Sequence, residues 1–251
     1  WSSDVCSSDL IFRGVAFEFR FKATPAHRPF WDKAFIGGSI VAAFSQGITV
    51  GAVIHGFSVT GRAYSGGPFD WFTAFNLFCG AGLVVAYALL GSTWLVMKSE
   101  NALQQRMRQV SKVLLLLLLV FIAVISIWTP LAQPAIAARW FTLPNLFWLL
   151  PVPVLVLLSA WGIQRGVKRG AHYSPFMLTL LLVFLGLSGL GISIWPHLIP
   201  PAISLWDAAA PPQSLGFMLV GALFIIPIIL VYTFWSYYVF RGKVQHGEGY
   251  H

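Results

Sequence analysis

The chain has 251 residues, of which 57% are hydrophobic and only 10% charged, with a formal net charge of +8. A soluble domain is about half apolar and a quarter charged, so this composition excludes an ordinary soluble domain and indicates a membrane protein. Of the two cysteines, Cys79 lies in an apolar stretch and Cys6 near the N-terminus, and they indicate neither a disulfide nor a CxxC metal site.

Residues 1–10 differ abruptly in character from the sequence after them. They contain Ser-Ser-Asp twice at a five-residue spacing and begin with Trp1 rather than Met. We interpret this segment as foreign, in the manner of translated cloning or adaptor sequence. Residues 11–251 are then expected to form one transmembrane domain that begins inside a longer gene.

Six stretches without charge follow in the rest of the chain: 34–61, 71–99, 113–138, 140–164, 170–206 and 208–240. A helix needs roughly 20 apolar residues to cross about 30 Å of hydrocarbon, and each stretch is long enough. The sequence therefore predicts an all-α, polytopic transmembrane bundle of six helices. The spans are placed near 34–57, 71–97, 113–130, 144–163, 175–195 and 215–240.

The basic residues predict the orientation of these spans. Fourteen of the sixteen Lys and Arg residues lie before the first span, in alternate connections, or after the last span, and only Arg62 and Arg139 lie on the other side. Positive charge is retained in the cytoplasm, so both ends of this chain are predicted to be cytoplasmic, with Lys168 and Lys243 on that side. The net charge thus reflects topology, and no nucleic-acid partner is expected.

Small residues in the first span predict a packing face. They recur at four-residue spacing, which lets a second helix approach closely: Ser39, Ala43, Gly47 and Gly51. Gln46 lies beside this face, and a hydrogen bond across a helix interface is the favoured interpretation of its amide.

Three local features make further predictions about the connections. Asp70 is well placed to cap the second span. Residues 99–112 have no glycine and are predicted to form a polar helical extension rather than a phosphate-binding loop. Pro151 and Pro153 are expected to bend the fourth span.

The spans lack the usual ligands of redox cofactors. No span carries a His pair, a His and Met at helical spacing, or two carboxylates. The sequence therefore offers no convincing haem ligand, metal site or acid–base pair.

Several motifs nevertheless resemble subunit II of cytochrome bd-type quinol oxidases, in its cyanide-insensitive branch. They follow the family's order and spacing and read RGVAFEFRFK (13–22), FDWFT (69–73), LLGSTWLVMK (89–98), WDAA (206–209), PIILVYTFW (227–235) and FRGK (240–243). The resemblance covers the chain from Phe12 onward, without the family's N-terminal helices.

This resemblance implies a multi-pass subunit in the bacterial cytoplasmic membrane. Its complex would oxidise quinol, reduce oxygen to water and take protons from the cytoplasm. Haem b and haem d would be carried by the partner, subunit I, in a heterodimer surrounded by membrane lipids. The resemblance also allows a structural quinone among these helices.

Two residues match functional positions of that family. Arg13 would pair with a haem propionate of the partner subunit, a contact that suits guanidinium geometry. Glu18 would pass protons inward from the cytoplasm. The alternative for both is a surface pair of opposite charges.

Two other functions remain open from the residues alone. Small-residue faces and proline-broken spans also occur in transporter cores, although we find no internal repeat and no charge inside the spans. A purely structural assembly subunit would differ from the first interpretation only in that Arg13 and Glu18 would have no role.

Overall fold

A computed structural model describes residues 2–57, 59–60, 63–200, 203–240 and 242. Ten helices and two short antiparallel hairpins, β1–β2 and β3–β4, account for most of these residues. In chain order they are α1 (Ser2–Lys22), α2 (Arg28–His55), β1 (Val59–Thr60), β2 (Ala63–Tyr64), α3 (Ala74–Lys98), α4 (Asn101–Ala132), α5 (Pro134–Phe141), α6 (Asn145–Leu149), α7 (Pro151–Arg169), α8 (Ser174–Ile194), β3 (His197–Ile199), β4 (Ile203–Ser204), α9 (Leu205–Ala208) and α10 (Pro212–Val239).

Within the described residues, six helical segments are long and apolar enough to cross a membrane, as predicted: α2, α3, α4, α6 with α7, α8 and α10. The helices extend beyond the apolar runs, because backbone hydrogen bonds continue into polar residues at the membrane surface. Thus α2 begins at Arg28 rather than near residue 34, and the polar segment before residue 113 is the start of α4.

Successive spans run in opposite directions and gather the basic residues at one end of the bundle. At this basic end, Lys98 Nζ donates to the carbonyls of Phe240 and Gly242, and Arg108 donates to that of Gly170. Arg62, Arg241 and Lys243 lie outside the described residues. The opposite end carries the two hairpins and Arg139.

The bundle is built by neighbours in the sequence. Helices α1 to α4 pack in order, α7 packs on α8, and α3 and α4 join the two groups through contacts with α8 and α7. The largest buried cluster lies among these four helices and includes Leu89, Leu115, Leu118, Ile163 and Leu182. A smaller cluster near the opposite end holds the short helix α5 through Ile136.

The predicted small-residue face is confirmed as the contact of α2 with α3. A Cβ atom on Gly47 would lie 2.7 Å from the carbonyl oxygen of Cys79 and from the Cα of Gly80. On Gly51 it would lie 2.9 Å from the Cα of Asn76. Only glycine permits this approach of the two backbones.

The prediction that Asp70 caps α3 is wrong. Thr73 is the N-cap and accepts a hydrogen bond from the amide of Asn76 at 3.2 Å. The Asp70 carboxylate instead accepts from the Tyr64 hydroxyl and the Gly67 amide, both at 2.9 Å. These contacts close the turn after the first hairpin, so the carboxylate is engaged four residues before α3 begins at Ala74.

The fourth span is interrupted where its prolines predicted a bend. Helix α6 ends at Leu149 and α7 begins at Pro151, with Leu150 between them. A proline has no amide hydrogen and displaces the preceding turn, which accounts for two segments in place of one helix.

Candidate functional site

Arg13 lies on α1 where this helix packs along α2, and its side chain is half-buried. Its guanidinium carbon lies 5.2 Å from the centre of the Phe35 ring, in a cation–π contact. Its Nε atom is buried and has no hydrogen-bond partner among the described residues. Because a guanidinium has five N–H donors and no acceptor, donors remain for an anion.

A cavity of about 320 Å³ opens beside this side chain and is lined by Arg13, Gly14, Phe17 and Phe35. Phe35 lies two turns into α2, so the cavity is roughly 10 Å along the axis from the start of that helix. A Cβ atom on Gly14 would meet nothing within 4 Å, so this surface of α1 is uncovered. The cavity therefore presents one cation among apolar walls, level with the apolar part of α2.

Glu18 does not share this cavity. It follows Arg13 by five residues, so the two side chains leave α1 about 140° apart around the helix axis. Glu18 is exposed, in a part of α1 that is held on α2 by an Arg20–Asp32 ion pair. The structure thus places Arg13 at the cavity and Glu18 on an exposed face nearer the basic end.

A group of polar contacts at the basic end was not predicted. We call Gln104, Arg108, Gly170 and His172 the basic-end network. Gln104 Nε2 lies 3.0 Å from His172 Nδ1, and Arg108 Nη2 donates to the carbonyl oxygen of Gly170 at 2.7 Å. These contacts join the start of α4 to the turn between α7 and α8. The four-residue spacing of Gln104 and Arg108, one helical turn, is the sequence signal that was missed.

The predicted role of Gln46 is confirmed by its contact with α3. The Tyr87 hydroxyl donates to Gln46 Oε1 at 3.1 Å, and this hydrogen bond links α2 to α3. At the opposite end, Gln133 Nε2 donates to the backbone carbonyl of His55 at 2.7 Å. Both contacts join helices, which is a structural role.

Across the described residues, no three His, Cys, Asp or Glu side chains form a cluster that could hold a metal ion. Cys79 is buried beside Gly51 in the α2–α3 contact. The residue best suited to contact a haem is Arg13, whose donors match the carboxylate of a propionate group. Its uncovered cavity and its buried, unpartnered Nε atom both fit such an anion.

The sequence matches a family model described as cytochrome bd terminal oxidase subunit II, over residues 7–240. This match supports the oxidase interpretation over a transporter core. It starts four residues before Ile11. The foreign origin of residues 1–10 and the branch of the family both stay predictions.

Three curated relatives have similar identities and coverage. A probable cytochrome oxidase subunit 2 of Haemophilus influenzae is 25% identical, over 94% of this chain and 71% of the relative. The cytochrome bd-I ubiquinol oxidase subunit 2 of Escherichia coli K12 is 26% identical, over 94% and 72%. The cytochrome bd ubiquinol oxidase subunit 2 of Bacillus subtilis is 26% identical, over 95% and 71%.

The fold agrees with this similarity. The solved bd oxidase of Geobacillus thermodenitrificans aligns with a TM-score of 0.65 at 14% identity, and covers 96% of this chain and 74% of the solved chain. At that identity the alignment shows the fold alone. The relatives are subunits of an oxidoreductase complex, and the six apolar helices are those of a multi-pass membrane protein. The chain belongs to the cytochrome bd terminal oxidase subunit II family.

Proposed function

We propose that this chain is the subunit II that partners a haem-bearing subunit I in the bacterial cytoplasmic membrane. The complex oxidises quinol, reduces oxygen to water and takes protons from the cytoplasm. The observation that carries this proposal is the family match over residues 7–240, together with an Arg13 side chain that has donors to spare in an open cavity. The haems supply the electron transfer from quinol to oxygen.

In this proposal Arg13 holds a haem propionate of the partner subunit. The Phe35 ring positions the guanidinium for a charge-assisted hydrogen bond to the propionate. A positive charge beside a propionate also stabilises the carboxylate form and raises the reduction potential of the haem. The role of Arg13 is therefore to anchor the cofactor and adjust its potential.

The test is Arg13→Gln in the purified complex. We expect a lower midpoint potential of one haem, measured by spectroelectrochemical titration, because the stabilising charge is lost. Arg20→Gln is the matched control, since Arg20 is on the same helix and is paired with Asp32. Unchanged potentials and unchanged haem content in Arg13→Gln would remove this role and leave a structural subunit.

Glu18 is proposed to deliver protons from the cytoplasm. Its carboxylate is exposed on α1, between Arg13 and the basic end of the bundle, so it can exchange protons with water. Glu18 does not contact Arg13. A proton taken up by Glu18 must therefore pass on through groups other than Arg13.

Replacing Glu18 with Gln is expected to slow quinol-driven oxygen consumption severalfold while haem content stays unchanged. Glu18→Asp should retain most of the rate because it keeps a titratable carboxyl group. Glu100→Gln is the control, since Glu100 is an exposed carboxylate at the same end of the bundle. Full turnover in Glu18→Gln would contradict the proton role.

The proposed orientation puts the basic end in the cytoplasm. Single cysteines at Lys168 and Arg139 lie at opposite ends of the bundle and can be labelled with an impermeant maleimide in oriented vesicles. We expect Lys168→Cys to react from the cytoplasmic face and Arg139→Cys from the other. The reverse pattern would overturn the orientation and, with it, cytoplasmic proton uptake through Glu18.

A further inference from the structure

The basic end of the bundle has two halves that differ in charge balance. In the half formed by α1 and α2, the cations are interspersed with Glu18 and Asp32, and Arg20 is paired with Asp32. In the half formed by α4 and α7, the cations have no acidic residues among them, because residues 101–206 contain no Asp or Glu. We call the six cations of this half the α4–α7 cationic patch: Arg106, Arg108, Lys112, Arg165, Lys168 and Arg169.

One hydrogen bond brings the two parts of this patch together. Arg108 Nη2 on α4 donates to the carbonyl oxygen of Gly170, the C-cap of α7, at 2.7 Å. Lys112 lies one turn beyond Arg108 on the same face of α4, about 6 Å along the axis. Lys168 is in the last turn of α7, two residues before Gly170. These three cations therefore gather where the start of α4 meets the end of α7.

The protein supplies this patch with few acceptors. The Arg108 guanidinium has five N–H donors and no acceptor, and its Nε atom is buried without a hydrogen-bond partner among the described residues. None of the six cations has a carboxylate partner in the described part of the chain. Arg108 is half-buried, whereas Lys112 and Lys168 are exposed. Cations grouped in this way repel one another, so an anion from outside the chain is favoured among them.

The patch lies at the depth of lipid headgroups. Lys112 directly precedes the long apolar run of α4, in which Leu116 and Val120 are exposed. On α7 the guanidinium carbon of Arg165 lies 5.0 Å from the centre of the exposed Trp161 ring, and tryptophan is enriched where membrane meets water. Cations next to exposed apolar side chains match the two parts of a phospholipid, its headgroup and its acyl chains.

We propose that the α4–α7 cationic patch binds the headgroup of an anionic phospholipid, whose acyl chains lie on the exposed apolar surface of α4. Lys112 and Lys168 donate to the phosphate oxygens, and the half-buried Arg108 adds positive charge beside them. A zwitterionic lipid is disfavoured because its ammonium group adds another cation to the patch. The bound lipid links the start of α4 to the end of α7. This site does not depend on the proposed roles of Arg13 and Glu18.

The test is native mass spectrometry of the whole oxidase complex, titrated in detergent with phosphatidylglycerol or with phosphatidylcholine. Lys112→Gln combined with Lys168→Gln removes two charges and keeps polar side chains. Lys22→Gln combined with Lys33→Gln is the matched control, since these exposed lysines belong to the α1–α2 half of the same end. The melting temperature shows that each variant complex is folded.

We expect the unsubstituted complex to hold one more phosphatidylglycerol than the Lys112 and Lys168 double variant, whose affinity for that lipid falls about thirtyfold. The control should bind phosphatidylglycerol as the unsubstituted complex does, and phosphatidylcholine should not distinguish the variants. The proposal is overturned if the double variant keeps this lipid, or if the control loses as much. Displacement of the lipid by an equal concentration of inorganic phosphate would also overturn it, because the site would then belong to free phosphate.

Discussion

Helices α3 and α10 are both apolar and long enough to span a membrane, yet their packing is opposite. An 18-residue segment of α3 has a mean hydropathy of 1.8, and 39% of this segment is buried. The corresponding segment of α10 is more hydrophobic, with a mean hydropathy of 2.6, and none of it is buried. Hydrophobicity therefore predicts which segments enter the membrane and does not predict which of them pack together.

The residues that differ between the two helices are small or polar. Phe44 of α2 would lie 2.8 Å from a Cβ on Gly80 of α3, and α3 also buries Asn76 and Ser92. Gly216 and Gly221 of α10 have nothing within 4 Å of the corresponding position. Lipid tails are as apolar as leucine, so close backbone contact and hydrogen bonds decide helix association.

The largest expected effect comes from breaking the close contact of α2 with α3. Gly47→Val would place its Cβ atom 2.7 Å from the backbone of Cys79 and Gly80, neither of which can rotate away. We expect a loss of about 3 kcal/mol in stability, seen as a lower melting temperature of the purified complex. Gly221→Val on α10 is the control and should leave the melting temperature unchanged if α10 is uncovered in the complex as well.

A smaller effect is expected where α10 is tied to the bundle. The Lys98 ammonium donates to carbonyls at the end of α10 at 2.7 and 3.0 Å, and Trp94 contacts Tyr237 with ring centres 6.0 Å apart. Lys98→Met keeps the apolar stem and removes these bonds, at a cost of about 1–2 kcal/mol.

Faster hydrogen exchange in the last turn of α10 would show this release. Lys168→Met, an exposed lysine at the same end, is the comparison and should leave that exchange unchanged. Equal exchange in both variants would mean that contacts other than Lys98 hold α10.

The buried serines of α3 and α4 sharpen the comparison further. Ser111 Oγ donates either to Ser92 Oγ at 2.9 Å or to the carbonyl of Met107 at 2.8 Å. Ser111→Ala should lower stability by about 1 kcal/mol, because Ser92 loses its partner on the other helix. Ser188→Ala on α8 is matched, since that hydroxyl bonds only within its own helix in the described contacts. A double substitution of Ser92 and Ser111 that costs the sum of the two single ones would exclude coupling between them.

The smallest effect is expected at the exposed turn before α3. Tyr64→Phe removes the hydroxyl that donates either to the Gly67 carbonyl or to the Asp70 carboxylate, and should lower the melting temperature only slightly. Partial desolvation of the phenol, followed by its hydrogen bond to Asp70 and the charge of that carboxylate, raises the pKa of Tyr64. The contribution of the turn is thus present below the ordinary tyrosine pKa of about 10 and is lost as pH rises through the raised value. In a titration followed by tyrosinate absorbance, the Tyr64→Phe variant should lack the component that ionises at this raised pKa.

The number of membrane-spanning helices and the α2–α3 contact could be predicted from the sequence, because charge-free length and small-residue spacing are local properties. Asp70 was assigned wrongly because its carboxylate is taken by Tyr64, whose position depends on a hairpin. The basic-end network was missed because Gln104 and His172 are 68 residues apart. Contacts of that range depend on how the helices pack.

The candidate site was predicted by resemblance and only in part by its residues. Nothing in the sequence around Arg13 indicates a cavity, since its wall includes Phe35 from the next helix. The separation of Arg13 from Glu18, by contrast, follows from their five-residue spacing on one helix. Helical phase could have shown in advance that the two side chains lie on different faces of α1.

The connection between α3 and α4 has a consequence for biogenesis. Only Ser99 and Glu100 separate the two helices, and Gln104 binds back to the carbonyls of Val96 and Ser99. Two residues reach at most about 7 Å, so neither helix can leave the translocon far ahead of the other. The pair is therefore expected to enter the bilayer together, as one helical hairpin.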